Sequence, residues 1–238
     1  MATRSRKRRY GILVVIAGLC VLGVYWLKQH PEHNPWAPLR LNQPVGWATQ
    51  GKLVALGRDD AACFGMLDRA AIRYERRPSK GQNQCFADNL ARLSPPGPQR
   101  ITYAPVPPEP SCAVNVTMLL WERNAVQTAA QRHLGQRVVR IDHMGTYNCR
   151  TIANSRTQSE HATGNAIDIS AFILADGRRV TVLDHWDAPD GRSAFLRAVR
   201  DQSCDLFATV LSPDYNAAHA NHFHFDQADR TGGWSVCR

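Results

Sequence analysis

The residues Ser159-Glu160-His161-Ala162-Thr163-Gly164-Asn165-Ala166-Ile167-Asp168 and, 51 positions further on, His219-Ala220-Asn221-His222-Phe223-His224 place two carboxylates, Glu160 and Asp168, and four imidazoles in two short stretches. Three of the nine histidines fall within six residues. Two imidazole nitrogens and one carboxylate oxygen suit zinc and leave a fourth position for water. Such an open site serves hydrolysis, because zinc lowers the pKa of the water it holds from about 15.7 toward ~7. The reaction also needs a base for the proton and a cation for the developing oxyanion. His222 and His219 are available beside the metal for the first task, and Arg150 is a candidate for the oxyanion or a substrate carboxylate. A lone histidine is more often a satisfied core or surface residue, which is the reading given to His30, His33, His133, His143 and His185. An isolated arginine such as Arg150 is likewise more often structural than functional, and Glu160 is expected to face solvent.

The elements that position these groups follow from periodicity. An extended Ala166–Ile173 puts Asp168 and Ser170 on one face and Ile167, Ile169 and Ala171 on the other, so Asp168 points to the site while the isoleucines enter the core. The same alternation puts His222 and His224 together, with Phe223 and Phe225 behind them. Gly164 permits a sharp bend that lets His161 and Asp168 reach one metal. Elsewhere, helices are predicted over Ala61–Arg76, Val114–His133 and Ser193–Cys204. Strands are predicted over Val138–Met144, Val180–Leu183, Thr209–Leu211 and Phe223–Phe225, with Asp176-Gly177 as a hairpin turn. Ser94–Pro110, with seven prolines, is predicted to be irregular. Helices first and turn-connected strands afterwards predict an α+β domain: a mostly antiparallel sheet carrying the zinc site, with flanking helices.

The amino terminus sets the expected compartment. Residues 1–28 hold six Lys/Arg and no acid, and five of those charges precede the uncharged run Gly11–Leu27. As a helix this run is roughly 26 Å long, slightly short of a hydrocarbon core of ~30 Å. Tyr10, Tyr25, Trp26 and Lys28 can make up the difference at the interfaces. The predicted organisation is a basic cytoplasmic tail (1–10), a transmembrane anchor (11–27), a Pro-containing linker (28–58) and a periplasmic domain (59–238) on the inner membrane. A cleaved signal peptide is the competing reading, although no small-x-small site follows the apolar run. Beyond residue 28, 23 basic residues face 20 acidic ones, a net charge of +3 without a basic aromatic stripe. This gives no support for a nucleic-acid partner. The six cysteines beyond the anchor predict up to three disulfides. Their connectivity stays open, although a Cys204–Cys237 pair would tie the carboxyl terminus down.

Ser159 to Asp168 satisfies S-x-H-x-x-G-x-A-x-D, the motif of D-alanyl-D-alanine metallopeptidases. With Thr146-Tyr147-Asn148-Cys149-Arg150, Phe195-Leu196-Arg197 and His222-Phe223-His224-Phe225-Asp226, the chain from about residue 60 to 238 resembles the extensin-like protein carboxy-terminal domain family. That family is similar to the LAS-type zinc peptidases, which include the D-alanyl-D-alanine peptidases and the penicillin-insensitive murein endopeptidases. The resemblance implies His161, Asp168 and His224 as ligands of Zn2+ and His222 as the histidine near the zinc-bound water. It implies His219 as a further active-site histidine and peptidoglycan peptides as substrate. One position departs: Asn221 stands three residues before the last ligand, where many D-alanyl-D-alanine peptidases carry a catalytic Glu. Either a histidine replaces that acid, or the protein is an inactive, zinc-stabilised wall-binding protein or scaffold.

Overall fold

The computed structural model describes residues 2–94, 101–153 and 155–238. Helix α1 (Ala2–Gln29) begins within the basic tail. Its 20 residues Tyr10–Gln29 are long and apolar enough to cross a membrane, a property that anchors and signal sequences share. The proline-containing stretch that follows is no free spacer. Ala48 N–H donates to the Glu32 carbonyl at 3.3 Å and Lys52 Nζ to the Pro31 carbonyl at 2.7 Å. Within the predicted linker, α2 (Thr49–Leu56) buries Leu53 and Leu56 against the domain.

Helix α3 (Asp60–Arg69) is capped by Asp59, whose side chain accepts from Ala62 N–H at 2.9 Å. It ends seven residues before the predicted Arg76. Ala71 takes a positive φ of 53°, and Ile72 N–H closes onto the Leu67 carbonyl at 3.0 Å. The rest of the predicted helix is β1 (Arg73–Arg76), paired antiparallel with β2 (Ala91–Ser94). Of the segment predicted to be irregular, residues 95–100 lie outside the described residues, and Thr102–Ala104 forms β3. No proline falls between Ile101 and Ala104, so these N–H groups are free to pair.

Ser111 caps α4 (Cys112–Trp121), which runs through a π-helical stretch, Glu122–Gln127, into α5 (Thr128–Leu134). This helical run is the crossover that lets β3 pair parallel with β4 (Val138–Gly145). The other strands are β5 (Ala166–Leu174), β6 (Arg179–Thr181), β7 (Thr209–Leu211), β8 (Phe223–Asp226) and β9 (Val236–Cys237). The order is β3-β4-β5-β8-β7-β9, with β6 also beside β5. The sheet is therefore mixed. Its centre is antiparallel as predicted, but the β3–β4 and β7–β9 pairs are parallel. After β6 the chain leaves the sheet sooner than predicted, because the Thr181 side chain accepts from Asp184 N–H and starts α6 (Val182–His185). Helix α7 (Gly191–Ser203) then covers the sheet through Phe195, Leu196 and Val199.

The core joins the helical run to this face of the sheet, with Trp121 against Phe172, Phe207 and Phe225 and its Nε1–H bonded to Ser203 Oγ at 2.8 Å. A β-bulge explains how β5 serves both core and site. Asp142 pairs with Ala171 and His143 with Ile169, which leaves Ser170 unpaired. The shift lets Phe172 and Leu174 join Ile167 and Ile169 in the core. Disulfides Cys63–Cys112, Cys85–Cys149 and Cys204–Cys237 join α3 to α4, the 146–160 loop to the segment before β2, and β9 to the end of α7.

Candidate metal centre

Asp168 and His224 face each other across the β5–β8 pair as direct register partners. Opposite Asp168 on β4 stands Gly145, whose φ of 122° is one that L side chains rarely adopt. His161 arrives from a single 3₁₀ turn, Glu160–Thr163, capped by Ser159. Gly164 ends that turn at a φ of 69°, and a Cβ there would stand 2.5 Å from Leu90 Cδ2. The bend is thus fixed by both conformation and space.

The three side chains converge. His161 Nε2, Asp168 Oδ1 and His224 Nδ1 are each 3.1 Å from the other two. The remaining ring nitrogens identify what these atoms present. His161 Nδ1 lies 3.2 Å from the Thr146 carbonyl oxygen and His224 Nε2 lies 2.9 Å from Asp226 Oδ2; both partners are acceptors, so both nitrogens donate. A neutral imidazole has one N–H, so the two inward nitrogens carry lone pairs. Two lone pairs and a carboxylate oxygen at 3.1 Å from one another repel unless a cation lies among them. A tetrahedral zinc with bonds of 2.0–2.1 Å has edges of about 3.3 Å, and its histidines hold their second nitrogen on a carbonyl or carboxylate. The donor set fits zinc on both counts.

Without a metal, a proton takes part of that role. Burial opposes ionisation of Asp168, but the hydrogen bonds with His161 and His224 outweigh it and hold the carboxyl well below the usual range. Burial disfavours the His224 imidazolium, yet Asp168 and Asp226 together raise its pKa to about 9. Asp226 is buried and held below the ordinary carboxylate range, with the cost of burial offset chiefly by its bond to His224.

The other predicted site residues surround this triangle. His222 Nε2 lies 3.8 Å from Asp168 Oδ1, and its Nδ1 donates to Asn221 Oδ1 at 2.7 Å. His219 lies beside it, ring centroids 5.2 Å apart, and donates from Nδ1 to Asn216 Oδ1 at 2.8 Å. Burial first, and then the neighbouring His222 and His224, push His219 down to about 4. His222 is lowered as well, again mainly by burial. Arg150 is exposed and makes no ion pair among the described residues, but its charge reaches both histidines. Its carbonyl accepts from Ser159 N–H, tying its loop to the His161 turn. Side-chain exposures of 14% at Asp168 and 12% at His222 leave the cluster a narrow contact with solvent.

Glu160, expected to face solvent, is half-buried and accepts from Asn165 Nδ2 at 2.7 Å. The histidines read as ordinary lie away from the cluster; His143, for instance, is bonded to the Val106 carbonyl and His185 to Thr181. Two partners carry no role in the sequence reading. Asp226 has a visible signal, since it follows His224 by two residues on one strand and so shares its face. The Thr146 carbonyl has none, because any residue supplies a carbonyl.

A mixed-sheet α+β domain that brings two histidines and an aspartate together on adjacent strands and a capped turn defines the class. The family described as Extensin-like protein C-terminus matches residues 61–238, and the chain belongs to it. No curated protein and no solved structure matches the chain.

Proposed function

We propose that this protein is a zinc metallopeptidase that hydrolyses peptide bonds of peptidoglycan, at a D-amino-acid amide, and is related to the LAS-type zinc peptidases. In this reading α1 is an uncleaved anchor in the inner membrane and the domain is periplasmic. The observation that carries it is the 3.1 Å triangle of two imidazole lone pairs and a carboxylate oxygen, with both outer ring nitrogens engaged as donors. His161, Asp168 and His224 would hold zinc, which supplies Lewis-acid polarisation and activation of water.

The remaining steps belong to the chain. Asn221 holds the Nδ1–H of His222, so Nε2 presents its lone pair toward the site. His222 takes the proton of the attacking water there and returns it to the leaving amine. His219, neutral at neutral pH and bound through Nδ1 to Asn216, offers a second acceptor beside it. Arg150 receives the oxyanion or a substrate carboxylate through its exposed guanidinium. Detergent-solubilised full-length protein loaded with zinc, incubated with intact sacculi, should release fragments with new amine termini at D-amino-acid positions, read by mass spectrometry. Metal-loaded protein that releases none ends the peptidase reading.

Asn221 supports a second reading, since an amide cannot act as a base where related peptidases carry an acid. Zinc then only stabilises a wall-binding or scaffold protein. His161→Ala would remove metal and stability in both cases, whereas His222→Ala would leave cellular function intact only in the second.

A further inference from the structure

A cavity of about 680 Å³ lies apart from the histidines, between the segment that follows α1, the end of α3 and the middle of the helical run. Its floor is apolar: Met66 and Ile72 from α3 and its exit, Leu119 from α4, and Leu41 from the linker segment. Three arginines stand at its walls, Arg40, Arg69 and Arg123. All three are exposed, and none has an ion-pair partner among the described residues. Arg123 donates to the Gln43 carbonyl at 3.1 Å, which orients it without neutralising it. Arg69 sits in the last turn of α3, where a cation is favourable by itself. That explanation does not extend to Arg40 or Arg123. Three guanidinium groups around one apolar hollow call for an anion with a hydrocarbon part, and guanidinium is the side chain that grips phosphate with paired donors.

The surroundings identify the source. Pro38, the first lining residue in the chain, follows the end of α1 by nine residues. Those residues turn rather than extend, through bonds such as Asn34 N–H to the Pro31 carbonyl and Ala37 N–H to the Asn34 carbonyl. Trp36 and Trp47 on this segment are 84% and 65% exposed. Large amphipathic rings exposed just past an apolar helix are the pattern of a chain held at the headgroup level of a bilayer.

We infer that this cavity binds one anionic phospholipid of the membrane, its phosphate on Arg40, Arg69 and Arg123 and an acyl chain over Leu41, Met66 and Leu119. The inference rests on reading α1 as a membrane span, but not on the metal centre. The bound lipid fixes the domain against the bilayer and so sets the height at which the histidine cluster is presented.

Full-length protein extracted in mild detergent would be re-equilibrated in micelles doped with phosphatidylglycerol or phosphatidylcholine, and retained lipid read by native mass spectrometry. Wild type should retain one phosphatidylglycerol in preference to phosphatidylcholine. The Arg40→Gln/Arg69→Gln/Arg123→Gln variant should bind it about tenfold more weakly or worse. Arg132→Gln/Arg137→Gln/Arg156→Gln, equal in charge change but away from the cavity, should match wild type. Equal retention by the cavity variant, absence of headgroup preference, or displacement by inorganic phosphate at equal concentration overturns the inference. Wild-type protein gives a check independent of any variant: phosphatidylglycerol with a photoreactive acyl chain should label peptides holding Leu41, Met66 or Leu119. Label confined to α1 overturns it as well. If the chain proves to be processed and soluble, the membrane reading fails while lipid capture in micelles is still measured.

Discussion

Asp168 and Glu122 are two carboxylates enclosed by the same domain that end in opposite states. For each, burial is the largest influence and pushes toward the neutral acid. Asp168 meets two imidazoles at 3.1 Å and stays ionised far into acid. Glu122 belongs to a half-buried residue whose carboxyl head is enclosed. Its one strong partner is Tyr103, whose hydroxyl donates to Oε1 at 2.5 Å, and its pKa rises to about 7. A single phenol does not offset desolvation, and burial together with the nearby Glu122 carboxyl pushes Tyr103 well above its own usual range. The difference lies in the partners. Around Asp168 the fold gathers groups that welcome positive charge at one point; around Glu122 it gathers groups that welcome none.

The largest effect should come from breaking the Asp168 side of the comparison. Asp168→Asn leaves two imidazoles without their anion, and zinc retained after dialysis, read by atomic emission, should fall from about one per chain to a small fraction. Retention at the wild-type level would show that the triangle is not the metal site. Next, Cys85→Ser with Cys149→Ser frees the loop that carries Thr146 and Arg150. With the two cysteines 64 positions apart in sequence, loop entropy alone gives a loss of about 4 kcal/mol, measurable by urea unfolding. A loss well below that would mean that the loop is held by its other contacts, such as Asn148 N–H on the His161 carbonyl.

Much of the Asp168 region is legible in the chain, because strand alternation and one glycine carry the information. Asp168 opposite His224 needs only two strands in antiparallel register, and Gly164 marks the bend that brings in His161. What escapes is set by contacts distant in sequence. Arg73-Tyr74-Glu75-Arg76 continues a helical pattern, and only pairing with Ala91–Ser94 makes it a strand. The bulge at Ser170 depends on register against β4, and the two residues of β9 gain their place from β7 and the Cys204–Cys237 bridge. Thr49–Leu56 falls inside the predicted linker, and only the core that Leu53 enters, built from residues distant in sequence, shows it to be a helix of the domain. Glu122 reads as an ordinary surface position of an amphipathic helix. The π-helical stretch that begins there has no sequence signature, and neither does the Tyr103 hydroxyl that meets it.

Two smaller effects sharpen the contrast. Asp226→Asn keeps the shape beside His224 but removes the charge that accepts its Nε2–H. Zinc affinity, by competition with a chelator, should fall about 10–100-fold, the usual loss when a ligand histidine loses its carboxylate support. An unchanged affinity would assign Asp226 to the fold alone.

The last prediction concerns Glu122 and the sign of a pH effect. The unfolded chain loses the Glu122 proton near the ordinary carboxyl value of 4.5, while the native protein keeps it up to about 7. Between those values the native state binds more protons than the unfolded state, so the contribution of Glu122 to stability falls as pH rises and levels off above 7. The fall is on the order of 1–2 kcal/mol, because part of the residue meets solvent. Glu122→Gln cannot ionise and should remove that fall, so the difference in urea unfolding free energy between mutant and wild type should shift in the mutant's favour from pH 4.5 to 7. Asp168 has the opposite slope: with a depressed pKa it gives stability that is present above its ordinary value and lost as the solution is acidified. If Glu122→Gln leaves the pH profile between 4.5 and 7 unchanged, the carboxyl is as well solvated as a surface group, and the contrast between the two enclosures does not hold.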